Sequence, residues 1–399
     1  MSEEDFKTYI DFGASKIRIG IFDKNFSRLI FFSEKKWLSA FNSKNLNLDE
    51  SKKILHDLIL SAEKKIGSYI KNINLMFDPQ DLDSIDFSIK SNLENKKINI
   101  KEIKLLLQES RQLILKYYFD KRIMHTIVEK YITDEKEFYT IPKDEIKSNF
   151  LILETKFLCY SKKIFDYMDN YFKENHINIK HLFCSSYAKS LEYNKHFENY
   201  EKKVFLDIGY EKSCISIFDK KRLIHFYSTP LGGNHITKDI SKVLKISEKE
   251  SEDLKQSFNR TETVFSDVLE EGSGSFDLIK NQGQKKISSD ILNKIIYARL
   301  DEILNLSFKN IDFSTVLFDQ KNSILVLTGE GSKILNKNSI YLEDRFNFFN
   351  EMIFFEESTE SICRAGFNFL NNANLYEVSF MTKEPKKRGF FEKLFHLFR

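Results

Sequence analysis

The sequence predicts a mixed α/β protein built from two related lobes, and two observations carry that reading. First, TYIDFGASKIRIGIFDK (residues 8–24) returns as VFLDIGYEKSCISIFDK (204–220), an offset of 196 residues. The match sets Asp11 on Asp207, Gly13 on Gly209 and Phe22-Asp23-Lys24 on Phe218-Asp219-Lys220. Second, each copy is an apolar run, then Asp-x-Gly, then period-2 alternation such as Ile17, Ile19, Ile21, which is how a strand–turn–strand hairpin reads. One hairpin used twice, half a chain apart, is what a duplicated fold leaves behind. Chance similarity is the competing explanation, and the shared Asp-x-Gly in one register argues against it.

The remaining elements follow in order. The stretch from Lys101 to Ile132 has helical periodicity, with Leu105, Leu106, Leu113 and Ile114 as its apolar face. After the second hairpin, RLIHFYSTPLGGNHITKDI predicts a strand, a double glycine (Gly232, Gly233) and a helix starting near Thr237. SEKESEDLKQSF, from Ser247, is helical, with Glu252 and Lys255 three apart on one face. Lys294 to Leu306 predicts a long helix whose stripe is Ile295, Ile296, Leu300, Ile303 and Leu304. SILVLTGEGSKIL then gives a buried strand (324–327), a glycine-rich turn (328–331) and a helix start.

Composition narrows the classes. At 399 residues, 41% hydrophobic and 30% charged, with 4 Pro and 13 Gly, the chain is neither fibrous nor disordered and has room for two cores. The cysteines Cys159, Cys184, Cys214 and Cys363 share no CxxC spacing, so a reduced chain without a zinc site is expected. The opening MSEEDFKTYIDFG lacks an apolar signal region. No run reaches the roughly 18 apolar residues of a spanning helix. Net charge is +3, yet six basic and two acidic residues lie between Lys383 and Arg399, which leaves the rest of the chain with one excess acid. A nucleic-acid binder spreads its basic residues over a folded face, and none is expected here. His residues are scattered, and Trp37 reads as a core or lobe-surface aromatic.

The turns suggest a ligand. Glycine-rich turns let backbone N–H groups approach phosphate oxygens, and an Asp closing the preceding strand can hold Mg²⁺ through water. Two facing Asp-x-Gly hairpins would grip a triphosphate between lobes, with the 328–331 turn against the base or ribose. Each turn is a weak signal alone. Their order is stronger: hairpin, hairpin, GG-helix, ExxK, strand-TGxG.

That order resembles the actin-like ATPase superfamily and, within it, the bacterial cell-division FtsA family. YIDFGASKI resembles the family's first phosphate loop, D-I-G-T-S-K, and FLDIGYEKS stands at its second. STPLGGNHITKDI and SEDLK resemble P-x-G-G-N-x-I-T-x-D-I and A-E-x-x-K. VLTGEGSKI resembles the adenosine loop V-L-T-G-G-G, and FYTIPKDEI the I-P-x-x-Y segment. The resemblance implies an actin-like (ribonuclease H-like, duplicated) two-lobed fold with an FtsA-type inserted subdomain and a C-terminal amphipathic helix. It implies a lobe 1 core at 5–77 and 150–198, an insert at 78–149, a lobe 2 core at 200–232 and 311–380, a lobe 2 insert at 233–310, and a linker with helix at 381–399. Carried over, ATP would meet Gly13, Ala14, Ser15, Lys16, Gly209, Gly232, Gly233, Asn234, Glu252, Lys255, Gly329, Glu330 and Gly331. Asp11 and Asp207 would hold Mg²⁺ through water.

Departures bear on turnover. The second loop, usually D-I-G-G-G-T, here has Tyr210 and Glu211 in place of glycines, and Glu211 would repel phosphate unless it points away. Ala14 replaces a hydroxyl residue and Glu330 a glycine. Nucleotide is expected to bind, with hydrolysis slow or absent and no catalytic base assigned. Lys212 reads as a solvated hairpin residue in preference to a phosphate cation.

The tail RGFFEKLFHLFR places Phe390, Phe391, Leu394, Phe395, Leu397 and Phe398 within about 160° of helical arc. Such a helix lies in the membrane interface, and Lys386, Lys387, Arg388 and Lys393 face anionic lipid. A terminal helix docked on the protein's own core is the alternative. The resemblance further implies filament-forming self-association, the FtsZ C-terminal peptide and other division proteins as partners, and a peripheral place on the cytoplasmic side of the membrane at the division site. Three rivals stay open: a small-molecule kinase, a type IV pilus assembly protein of actin-like fold, and a nucleotide-free scaffold bridging FtsZ and membrane.

Overall fold

The first copy of the repeat forms a hairpin in which β1 (Phe6–Phe12) pairs antiparallel with β2 (Lys16–Asp23), setting Asp11 opposite Arg18. The Gly13 N–H closes the turn on Lys16 O at 3.0 Å. A computed structural model of the chain describes residues 5–37, 49–79, 81–142, 146–258, 279–280, 286–287, 289–309, 311, 322–335, 345–372 and 379–380. β3 (Leu29–Lys36) extends the hairpin. Then α1 (Asp49–Ile66) leads to β4 (Asn72–Met76), which returns parallel to β1.

An inserted unit follows. It comprises β5 (Asp83–Lys97), α2 (Ile100–Tyr117), β6 (Lys121–Ile132), β7 (Glu137–Phe138) and β8 (Lys147–Ser161). The strands make a sheet of their own in the order β5-β8-β6-β7, in which β8 runs to Ser161. α2 begins at a capping box: Asn99 accepts from the Lys101 and Glu102 N–H groups at 2.9 and 3.0 Å, and Glu102 reaches back to Asn99 N–H. The helical periodicity expected through Ile132 ends at Tyr117, because the β-branched KRIMHTIV run pairs with β8 instead. Leu106 and Ile114 are buried under α2 as expected, whereas Leu105 faces solvent.

The chain re-enters lobe 1 through α3 (Lys162–Glu174) and β9 (Asn178–Phe183). It crosses to lobe 2 along α4 (Ser185–Asn194). There the second copy forms β10 (Lys202–Ile208) and β11 (Ser213–Asp219), closed by Gly209 N–H on Lys212 O at 2.9 Å. β12 (Arg222–Thr229) follows. The register of β11 on β12 shifts between Ile217 and Phe218, as that of β2 on β3 shifts between Ile21 and Phe22, again 196 residues apart. The repeat is therefore structural and reaches the irregularities.

Lobe 2 adds α5 (Gly233–Leu244), α6 (Glu248–Phe258), the short β13 (Ile279–Lys280) and β14 (Lys286–Ile287), and α7 (Ser289–Phe308). β15 (Ser323–Thr328) then pairs parallel with β10, and β16 (Glu351–Phe354) with β15. The expected helix start near Thr237 lies four residues earlier, at Gly233. After β15 the described chain makes a 3-10 turn, Glu330–Ile334, where the start of a helix was expected. Finally α8 (Ser361–Asn372) returns to lobe 1 and β17 (Ser379–Phe380) pairs with β9. The sheets are thus β17-β9-β4-β1-β2-β3 and β12-β11-β10-β15-β16. Residues 381–399, which hold the proposed membrane helix, lie outside the described residues.

Strand alternation assigns each face of the lobe 2 sheet. Val204, Leu206, Ile208, Leu325 and Leu327 pack with Ile296, Leu300 and Ile303 of α7, while Phe205, Ile324 and Val326 join the core that runs into lobe 1. α8 seals that larger core, with Phe367 stacked on Phe22 at 4.6 Å. The fit at β2 is tight: a Cβ on Gly20 would stand 2.7 Å from Cys363 Cβ of α8. Gly20→Ala should therefore lower stability by about 1–3 kcal/mol, read as a lower urea midpoint at unchanged slope.

Candidate functional site

Each hairpin turn ends a strand whose last inward residue is an aspartate, and the two aspartates are answered differently. Asp11 is buried and bonded through both oxygens, to Arg18 Nη1 at 2.7 Å and to Ser185 Oγ at 2.8 Å. Burial raises its pKa against the opposing pull of Arg18. The residue opposite Asp207 is Cys214, which cannot supply a charge. Its cation comes from the crossing helix instead: Lys189 Nζ lies 2.8 Å from Asp207 Oδ2 and 2.8 Å from Glu357 Oε1. Burial would lower the Lys189 pKa, but Asp207 and Glu357 outweigh it and hold the ammonium well above its ordinary value.

The start of α4 thus touches both acids. Ser185 donates to Asp11, while Ser186 Oγ lies 3.4 Å from Asp207 Oδ2 and also donates to Asp78. Tyr193, one turn past Lys189, donates to Glu357 at 2.7 Å.

Lys212 departs from the solvated reading. It is buried, its ammonium 4.0 Å from Asp78 and 3.3 Å from Pro79 O, so it ties lobe 2 to lobe 1. Burial alone would lower its pKa; Asp78 overcomes that and raises it. Glu211 does point away from the turn: it is buried and accepts from Asn234 Nδ2 at 2.7 Å at the head of α5. Tyr210 is half-buried, and burial with the neighbouring Glu252 pushes its phenol up to about 12.

Four of the glycines predicted to meet a nucleotide, Gly209, Gly232, Gly233 and Gly331, meet one another. Gly233 N–H donates to Gly209 O at 2.9 Å and Asn234 N–H to Tyr210 O at 2.8 Å. A Cβ on Gly232 would lie 2.6 Å from Gly209 O, and one on Gly331 2.7 Å from Ile208 O. Gly329 needs its freedom twice over, for a φ of +85° and because a Cβ would stand 2.3 Å from Asp207 Oδ1. Its N–H donates to Glu357. Nearby, Lys255 Nζ reaches Gly233 O at 3.0 Å, Thr237 Oγ1 at 2.7 Å and Glu252 at 2.6 Å, which joins α6 to α5. Trp37 is buried, and its indole donates to Gly13 O at 2.9 Å, bracing the first turn. Across the cleft, Lys16 pairs with Glu330.

Of the predicted nucleotide residues, Lys16 and Glu330 meet between the lobes, whereas Lys255 and Glu252 bond within lobe 2. Sequence reading missed Arg18, Asp78, Ser185, Ser186, Lys189 and Glu357. Arg18 was within reach: a two-residue turn at Ala14-Ser15 sets position 18 opposite 11. The others come from separate elements and carry no local signal.

The donor set does not fit a divalent cation at Asp11 and Asp207. Both oxygens of Asp11 are bonded, Asp207 faces an ammonium and the Gly329 turn, and each acid has a protein cation. Among the described residues no group of three or more His, Cys, Asp and Glu side chains could hold a metal ion.

A family model described as cell division protein FtsA matches residues 204–369, which run from β10 through most of α8. FtsA of Streptococcus pneumoniae serotype 2 is 21% identical over 336 residues, covering 82% of this chain and 71% of its own length. FtsA of Bacillus subtilis is 24% identical over 213 residues, covering 53% of this chain and 47% of its own length. The chain is a relative of the cell-division protein FtsA. Agrobacterium fabrum FtsA agrees, at 20% identity over 72% of this chain, and there the chain spans 64% of the relative. Among solved structures, a PilM–PilN type IV pilus biogenesis complex superposes with a TM-score of 0.59 at 12% identity, over 91% of this chain and 95% of that one. At that identity the likeness speaks for the fold alone. The chain is thus similar to FtsA proteins in sequence and to the PilM–PilN complex in fold.

The Lys189 cluster sets a pH signature. Burial opposes ionisation of Glu357, but Lys189 outweighs it and holds its pKa below normal. Stability from Glu357 is then present above the usual carboxylate range and is lost as pH falls through the lowered value. Lys189→Met removes the shared cation and should cost about 3–5 kcal/mol at neutral pH. That deficit should narrow on acidification, as one of the two facing carboxyls takes a proton. Thermal melts of both proteins between pH 7 and pH 4 check this, and a deficit constant with pH would count against it.

Proposed function

We propose that the chain polymerises side by side and tethers an FtsZ-type filament to the cytoplasmic membrane at the division site. The match of residues 204–369 to the FtsA model carries this reading. An adenine nucleotide such as ATP is the ligand proposed for the cleft. The turn backbone at Ala14 and Ser15, the Lys16 ammonium and the Glu252–Lys255 pair are the groups that would meet it. Nucleotide would bias lobe closure, and closure would decide whether polymerising faces match. Asp11 and Asp207 already hold protein cations and are not proposed to hold Mg²⁺.

Attachment follows from avidity. One interfacial helix binds lipid only marginally. Subunits in a row pool their tails, and each further tail binds as if intramolecular. Lys386, Lys387, Arg388 and Lys393 supply attraction to anionic headgroups, and the Phe/Leu face supplies burial. Among the described residues no helix is long and apolar enough to cross a membrane. The FtsZ C-terminal peptide and other division proteins are proposed partners.

A second reading has its own observation in favour. Internal cations satisfy both aspartates, and the loop glycines pack on one another, as suits a scaffold that bridges filament and membrane without nucleotide. ATP titration separates the two: a binder gains melting temperature by mass action, and a scaffold does not. Deleting residues 386–399 should leave a folded chain that no longer pellets with vesicles of anionic lipid. Equal pelleting by the truncated and full chains would exclude the tail as the anchor.

A further inference from the structure

Lys16 ends the first hairpin turn, the turn that would present backbone to a phosphate. Its ammonium is already engaged. It pairs with Glu330, 314 positions away in the other lobe, and lies 3.6 Å from Glu34 Oε1. Glu330 stands on a braced turn. Gly329 before it is fixed by its positive φ and by its N–H bond to Glu357, and Ser332 Oγ closes back on Gly329 O at 2.7 Å. The side chain is therefore delivered to Lys16 by rigid backbone, while 59% of it stays open to solvent.

We propose that Glu330 is a built-in stand-in for a nucleotide phosphate: its carboxylate occupies Lys16 and pins lobe 2 to lobe 1, so a nucleotide enters only by displacing it. The proposal deepens the nucleotide reading above and rests on it. A carboxylate and a phosphate oxygen make the same kind of charge-assisted bond to an ammonium. A ligand phosphate and Glu330 cannot both take Lys16 without crowding two anions, with Glu34 a third beside them. The lowered pKa of Glu330, which burial opposes and Lys16 brings about, agrees that the carboxylate is ionised where it sits. Position 330 is thereby the residue that sets nucleotide affinity. A neutral side chain there frees Lys16.

The test uses the full chain and a fluorescent N-methylanthraniloyl-ATP, titrated with and without Mg²⁺. Glu330→Gln and Glu330→Gly should each tighten binding by about tenfold, since each removes a competing charged partner. Adding Lys16→Ala to Glu330→Gln should cancel the gain. In the ligand-free chain both single variants should exchange amide hydrogens faster at 13–16 and 329–335. Because Glu330 is more than half exposed, these variants are expected to fold, and circular dichroism checks that. Wild-type binding with no gain in either variant overturns the role of Glu330 and leaves the nucleotide reading standing. Absence of binding in wild type and variants alike overturns both. Unchanged exchange at the two turns overturns the pinning of the lobes.

Discussion

A buried carboxylate needs a counter-charge, and this protein places one at the end of each central strand. Asp11 and Asp207 occupy equivalent points of a duplicated hairpin, the first buried and the second largely so, where ionisation is costly without a partner. The first copy answers from within, with Arg18 across the hairpin. The second, with Cys214 in that position, borrows Lys189 from the helix that joins the lobes. Much of the cleft's geometry follows. α4 must begin at Asp11 and run past Asp207, Glu357 must share the lysine, and Gly329 must be bare to let its turn approach. Charge joins the shared apolar core in fixing how the lobes meet.

What the sequence disclosed was whatever is local and periodic. The hairpins, the α7 stripe Ile296-Leu300-Ile303-Leu304 and the α6 pair Glu252–Lys255 could all be read because neighbours in the chain are neighbours in space. The 196-residue repeat extended that to architecture. The insert was harder. Its second half alternates weakly, and only pairing of β6 with the long β8 decides for strand. The cleft chemistry was half visible. Motif glycines marked the turns but not what they pack on. Glu211 looked like a phosphate repellent because sequence cannot show that Asn234 draws it aside. Lys212 looked solvated because Asp78 lies in a distant element.

The family relation and the cleft bear on different levels. Relatedness to FtsA concerns the cellular role, while the ion pairs concern how tightly a nucleotide could govern it. A cleft held by Lys16–Glu330, Lys212–Asp78 and Lys189–Asp207 is closed by the protein's own charges. Any ligand acting as a switch must compete with those pairs, so it can shift lobe closure only by its differential affinity for the opened form.

The late position of α8 also constrains biogenesis. Phe22 finds its stacking partner in Phe367, and β9 finds β17 only at residues 379–380. A ribosome makes these segments long after the strands they cover. Until they emerge the first lobe must wait with an uncovered aromatic seam, a surface that chaperones recognise and that invites aggregation. Nascent chains stalled ahead of residue 361 carry that seam permanently.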